Sequence, residues 1–382
     1  SIASRVENKQ PVRKMLVLPP LALYIHYPWC VKKCPYCDFN SHENGDKSGY
    51  ILELLKDLDE DIHHVQGRSI DSIFIGGGTP SLMSVDDLQQ LFSGLKKRLN
   101  FSTGIEITLE ANPGTFEVEK FKSFKDIGIN RLSIGVQSFN DQQLKSLGRI
   151  HNAKQAKEAC IQASKIFDNF NIDLMYGLEG QTLDQCLDDI NKVIDLKPTH
   201  ISFYQLTIEP NTLFGKFPPA VPNDDDIWRM GEQGVELLES QGFARYEVSA
   251  FGKIPSKHNL NYWQFGDYLG IGAGAHGKIT HKHTAEIIRT LKSKSPKIYI
   301  NNRQKSTEVI DSPSFEFMLN ALRLQQGFST DLFTSRTGLP MSSINDKLEQ
   351  AKSKCLLEFD SAHIQPSKKG FDFLNNLQEL FL

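Results

Sequence analysis

Short apolar runs of strand length alternate along this chain with longer stretches whose apolar residues recur every three or four positions. The run "LALYIHY" (21–27) reads as a first strand, and a helical pattern follows near 50–63. "DSIFIGG" (71–77), "GIEITLE" (104–110), "RLSIGVQ" (131–137), "NFNIDLM" (169–175) and "HISFYQL" (200–206) read as further strands. Helical patterns separate them near 85–99, 116–127, 141–167 and 183–196, and another lies near 224–241. "RYEVSA" (245–250) is a candidate seventh strand. Strands alternating with helices predict a parallel sheet with right-handed crossovers. Six such units in a row point to an α/β fold, a partial (β/α)6 barrel, with an open doubly wound sheet as the alternative.

The pattern then changes. From 258 to about 277 the chain is rich in aromatic residues and glycine, and 278–305 is polar and basic and reads as a connector. Helical periodicity returns at 314–324, 331–337 and 341–354, and the C-terminal stretch reads as two short strands and a last helix. Helices followed by a small hairpin resemble a winged helix. The expected division is a tail (1–20), the barrel (21–250), the aromatic segment with its connector (251–305) and a C-terminal winged-helix-like domain (306–382). Residues 1–14 are polar, and Met15 leads into an apolar run. Met15 therefore reads as the natural start, or the leader before it as cleaved.

Composition narrows this only a little. With 39% hydrophobic and 23% charged residues the chain is an ordinary globular one. A net charge of -3 gives no basic field for nucleic acid, so none is expected as a partner. No apolar run approaches the roughly 20 residues that span a bilayer. The six cysteines are too sparse for a secreted disulfide framework, which favours a reducing, cytoplasmic setting. Cys160, Cys186 and Cys355 fall in helical or core patterns and read as inert packing thiols.

The other three are close together. "CVKKCPYC" places Cys30, Cys34 and Cys37 in a C-x3-C-x2-C pattern. Thiolates are the preferred ligands of iron–sulfur clusters. Three ligands leave one iron of a [4Fe–4S] cube open, whereas structural zinc asks for four closed ligands, to which His26 or His42 would have to contribute. "GGGTP" (76–80) ends the second strand, and its glycines let backbone N–H groups approach a polar ligand. Glu110, Gln137 and Asp173 fall at or near the C-terminal ends of predicted strands, where barrels carry their chemistry. Each alone would merely open a polar loop; three in register favour a site. Arg149 can bind a carboxylate bidentately.

The cysteine spacing, followed by an aromatic loop and a glycine-rich turn, resembles the radical-SAM signature. In that family the open iron chelates the amino and carboxylate groups of S-adenosylmethionine (SAM), and reduction cleaves SAM to a 5′-deoxyadenosyl radical. The ordered segments "YIHYPWCVKKCPYCDF", "GGGTPS", "EANPG", "GVQSF", "LGRIH", "IDLMYGL", "YQLTIEPNT", "HNLNYW" and "GIGAGAH" are similar to the family of oxygen-independent coproporphyrinogen III oxidases and their HemW-type relatives. The likeness covers nearly the whole chain after Met15. It implies that Tyr24 and Tyr36 pack against SAM, that Gly77, Gly78 and Thr79 touch its methionine moiety, and that Glu110, Gln137, Arg149 and Asp173 hold its amino acid and ribose.

Two departures separate the subgroups. Decarboxylating members carry a cysteine two residues past the third ligand, where this chain has Phe39, and a longer N-terminal arm. Both departures match the HemW-type subgroup, whose members resemble haem chaperones that deliver haem to membrane-bound haem enzymes. "HNLNYW" fits that subgroup's HNxxY motif and makes His258, Asn259 and Tyr262 candidates for holding haem as cargo. Imidazole is a common axial ligand of haem iron, and Tyr262 and Trp263 can stack on the macrocycle. Which side chain ligates iron stays open, and His276 is a secondary candidate. The resemblance thus implies a SAM-binding, cluster-bearing haem chaperone. Its partners are haem and a haem-accepting membrane enzyme; membrane contact would be peripheral, and a homodimer is left open. Radical decarboxylation of coproporphyrinogen III is the alternative, and a winged-helix regulator a weaker third.

Overall fold

In the computed structural model, which describes residues 16–382, the predicted strands form the spine of one twelve-stranded sheet. The expected tail up to residue 14 and the Met15 start lie outside the described residues. Strands β1 (Leu21–Tyr27), β2 (Ile70–Gly77), β3 (Phe101–Ala111), β4 (Arg131–Gln137), β5 (Phe170–Tyr176) and β6 (His200–Gln205) pair in chain order, all parallel. Leu23 lies opposite Ile73, and Ile25 opposite Ile75. These runs are apolar on both faces because helices cover one side and the barrel interior the other.

The covering helices begin where their caps dictate. Helix α1 (Tyr50–Asp61) follows β1, and α2 (Val85–Arg98) follows β2, with Ser84 accepting from the N–H of Asp87. Next come α3 (Val118–Ile127), α4 (Asp141–Ser146) and α5 (Ala153–Ile166). Asn152 with Gln155, and Thr182 with Gln185 at the head of α6 (Leu183–Asp195), form capping boxes. After β6 comes α7 (Asp224–Ser240), whose N-cap Asn223 accepts from the N–H of Asp226.

Beyond α7 the architecture differs from the expectation. The candidate seventh strand is a pair of short strands, β7 (Arg245–Glu247) and β8 (Ala250–Gly252), with β8 antiparallel to β6. Helix α8 (Lys257–Trp263) docks its first turn on β3, because Glu106 accepts the N–H groups of Lys257 (2.9 Å) and His258 (3.1 Å). Strand β9 (Asp267–Ile271) then runs parallel to β1 on the sheet's other side. The supposed connector is itself sheet: β10 (His276–His281), β11 (Glu286–Lys292) and, past helix α9 (Pro296–Asn302), β12 (Lys305–Val309) extend it antiparallel.

Buried ions fasten this extension to the barrel. Asp267, with its side chain fully buried, meets Arg68 at 2.8 Å and Lys278 at 3.2 Å and accepts from Thr280. Lys292 reaches Asp57 and Asp61 of α1, and Tyr299 donates to Asp57 (2.6 Å).

A second hydrophobic core gathers around Phe317, Phe333 and Leu348. It packs α10 (Pro313–Ala321), α11 (Thr330–Thr337) and α12 (Asn345–Ser353) on a three-stranded sheet of β13 (Phe328–Ser329), β15 (His363–Pro366) and β14 (Leu357–Phe359). Two short helices at 368–372 and 374–379 follow the hairpin. Cys160 and Cys186 are buried, as expected, but Cys355 is exposed. It follows the last turn of α12 with a positive φ of 60°.

Candidate functional site

The loop between β1 and α1 carries the three cysteines and is held at both ends. The N–H of Cys30 donates to the carbonyl of His42 (3.0 Å), and that of His42 to Pro28 (2.7 Å). Trp29 is 1% exposed and meets the ring of Tyr50 edge-on at 4.8 Å, anchoring the loop in the core. Cys30, Cys34 and Cys37 are free and half-buried, and all face one cavity of about 160 Å3. Among the described residues they do not converge on a point that could hold one ion. Three free thiols on one cavity are the donor type that an iron–sulfur cluster takes.

Opposite the loop lies the glycine turn at the end of β2. The N–H of Gly78 donates to Tyr27 and that of Thr79 to Trp29, both at 2.7 Å. A Cβ on Gly78 would sit 2.3 Å from the Trp29 carbonyl oxygen, so no other residue fits there. Gly77 has φ of 115°, and a Cβ on it would lie 2.7 Å from the His26 ring. The turn is therefore a bare backbone cradle beside the thiols.

The remaining walls are strand ends. Glu110 and Asp173 face the cavity from β3 and β5, with Asn171 donating to Asp173 (2.8 Å). Burial, and then the nearby Asp173, push the Glu110 carboxyl up to about 8; burial raises Asp173 as well. Two carboxyls held this way favour a ligand that brings positive charge. Gln137 closes β4 with φ of 71°, a left-handed conformation that costs a non-glycine residue of order 1–3 kcal/mol. It accepts from the Tyr204 hydroxyl at 2.8 Å. Arg149 donates to the Gly135 carbonyl (2.7 Å), lies 3.4 Å from both the Cys34 Sγ and the Tyr36 hydroxyl, and keeps a buried Nε with no partner among the described residues.

The structure thus gathers Tyr36, Gly77, Gly78, Thr79, Glu110, Gln137, Arg149 and Asp173 around the cysteines. Tyr24 departs from the expectation. Its hydroxyl donates to His26 Nδ1 (2.8 Å), and the residue lines a second, larger cavity of about 700 Å3 instead. Tyr204, at the end of β6, was missed, although it carries the same signal of a polar group closing an apolar strand.

Phe39, Lys33 and Ser41 border both cavities. The larger one is walled by Tyr262, Trp263 and Tyr268, by His26, His42 and His276, and by Lys278, Arg289 and Lys294; Glu316 and Asn320 of α10 close it from the C-terminal side. Of the HNxxY residues only Tyr262 reaches it. His258 is 0% exposed and bonds Ser72 Oγ (2.8 Å) and Tyr262 (2.7 Å), while the Asn259 backbone N–H is taken by Ser256.

Comparison with known proteins agrees with this geometry. Residues 24–193 match the Radical SAM superfamily, and residues 313–373 match the HemN C-terminal domain. The chain is 49% identical to the heme chaperone HemW of Haemophilus influenzae, covering 96% of this chain and 98% of that protein. It is 48% identical to the heme chaperone HemW of Escherichia coli, covering 96% and 100%. The chain belongs to the HemW family of radical-SAM proteins. Its fold is also that of the radical-SAM coproporphyrinogen III oxidase HemN of Escherichia coli, with a TM-score of 0.80 over 97% of this chain and 92% of that one at 20% identity. Membership in the radical-SAM superfamily brings a [4Fe–4S] cluster and SAM as cofactors. The residues present fit them: free thiols, a cradle that a Cβ would fill, facing carboxyls and an unpartnered guanidinium nitrogen. No helix of the described residues is long and apolar enough to cross a membrane.

Proposed function

We propose that this chain is a haem chaperone: it binds haem and passes it to haem-requiring enzymes. The observation that carries this reading is the near end-to-end likeness, at 48–49% identity, to proteins named heme chaperone HemW. Phe39 supports it from chemistry, since it stands between the two cavities where decarboxylating relatives carry a cysteine.

In this reading Cys30, Cys34 and Cys37 hold the cluster. Gly77, Gly78 and Thr79 receive the methionine part of SAM along the side-chain-free backbone of the turn. Arg149 and Gln137 hold its polar groups, with Tyr36 packed beside them. Glu110 and Asp173 balance its positive charge. When bound, the cluster supplies an open iron and an electron. The chain's own part is to orient SAM, to exclude water with Tyr36 and Tyr204, and to keep a proton on Glu110 until a cation arrives. The setting is cytoplasmic, the receiver is a membrane-bound haem enzyme, and any membrane contact is peripheral; a second copy of the chain would form a dimer.

The test pairs two assays on the anaerobically reconstituted protein. Haemin titration followed by incubation with an apo haem enzyme should show binding and transfer. Turnover with SAM, reductant and coproporphyrinogen III, run beside an active decarboxylase, should give no vinyl product. Product above a cluster-free blank would make the chain an oxidase and overturn the chaperone reading.

A further inference from the structure

The HNxxY histidine is not free to bind a metal. His258 has both ring nitrogens engaged, by Ser72 and Tyr262, and its face lies on Phe74 with ring centres 5.3 Å apart. The docking of α8 on Glu106 fixes its backbone as well. Turning it toward a ligand would strand two buried hydroxyls, a cost that ligation would first have to overcome.

The larger cavity holds better candidates. At about 700 Å3 it has the size of small-molecule and cofactor sites, which the cluster cavity at about 160 Å3 does not reach. Three histidines line it. His26 is buried; its Nε2 donates to the Asn40 carbonyl (2.7 Å), and its Nδ1 accepts from Tyr24. His42 has one nitrogen on the Asn40 amide oxygen (3.1 Å). His276 opens β10 and is exposed, and its ring hydrogen-bonds with no described residue.

The cavity's charges are unevenly spent. Lys278 is tied to Asp267 and Arg289 to Glu316, whereas Lys33 and Lys294 have no carboxylate partner among the described residues. Aromatic walls, an unengaged imidazole and two spare cations make a set that suits a planar, iron-bearing dianion.

We propose that haem occupies this cavity with its iron on His276, its macrocycle against Tyr262 and Trp263, and its propionates on the rim formed by Lys33 and Lys294. The inference rests on the chaperone reading and locates its cargo. His258 becomes a positioning residue that seats Tyr262.

The test is a haemin titration of the full-length protein followed by absorption and electron paramagnetic resonance. Wild type should bind one haem with an imidazole-type spectrum. His276→Ala should lose that spectrum and weaken binding by about tenfold or more, and His276→Cys should convert it to a thiolate type, a change that no structural role produces. His258→Ala should keep the imidazole spectrum. Lys294→Ala should weaken haemin several-fold and leave its dimethyl ester unchanged. An unaltered spectrum and affinity in His276→Ala would overturn the placement while sparing the chaperone reading, as would loss of ligation in a folded His258→Ala. Equal weakening of haemin and its ester in Lys294→Ala would overturn the propionate contact. Failure of wild type to bind haemin would overturn both readings.

Discussion

The cluster cavity draws its walls from the ends of consecutive parallel strands β2 to β6 and from the loops that carry the cysteines and Arg149. The larger cavity borrows from the same cysteine loop and from β1, α8, strands β9 to β11 and α10 of the second core. The first is narrow, glycine-lined and carboxyl-bearing; the second is wide, aromatic and cationic. A site built on a repeated βα frame inherits its geometry from the frame. A site built between the frame and its additions depends on whatever fastens the additions on.

The largest effect should come from breaking the first site chemically. Cys34→Ser removes one of three thiolates, and iron content and cluster absorbance after anaerobic reconstitution should collapse. Haemin affinity should stay within a few-fold if the two cavities are separate; a parallel collapse would show them to be one site. Next in size is the fastening of the second. Asp267→Ala leaves Lys278 buried without its carboxylate and should cost about 3–5 kcal/mol by urea unfolding. Gly78→Ala pushes a methyl against the Trp29 carbonyl, and overpacking of that kind costs about 1–3 kcal/mol. SAM affinity, measured by calorimetry, should fall with it.

Acid should strike the frame behind both cavities. Burial, and then the positive Arg131, hold His258 down at about 3. Folded His258 therefore stays neutral where the unfolded ring, near 6.5, takes a proton, so its stabilisation is full above about pH 6.5 and is lost as pH falls toward 3. The share lost by pH 5 is about 2 kcal/mol. His151 and His64, each held at about 4 first by burial, add in the same direction. A stability that stayed flat from pH 7 to 5 would refute this. The smallest change is Phe39→Ala: the ring is 67% exposed, so stability should move by less than about 0.5 kcal/mol. SAM-dependent haem binding would then report whether this side chain divides the cavities.

The same contrast explains what was legible in the sequence. Strands β1 and β4 run over the residues that their apolar runs mark, because both faces are buried and the pattern is continuous. The cysteines, the glycine turn and the strand-end polar groups were legible because each is a local signal at a fixed place in a βα unit. The strands β10 to β12 were not. Lys292 stands inside the protein through Asp57 and Asp61, partners far away along the chain, and Lys278 through Asp267 of the neighbouring strand and the carbonyls of Phe265 and Gly266. A residue-by-residue pattern assigns such lysines to solvent. Strand β12 is exposed throughout and so shows no alternation at all. Tyr24 and His258 are oriented by hydrogen bonds with His26 and with Ser72, which no apolar pattern marks.

One contact described above reaches further. Gly77 of the cradle lies against the His26 ring, and that ring borders the larger cavity. The His26 ring is thus shared between a ligand resting on the glycine backbone and a ligand in the larger cavity. Whatever factor the first imposes on the second's affinity, the second must return to the first, since the free energy around the closed cycle is zero. SAM affinity measured with and without cargo therefore reads the same quantity as cargo affinity measured with and without SAM, and either titration can serve as the check on the other.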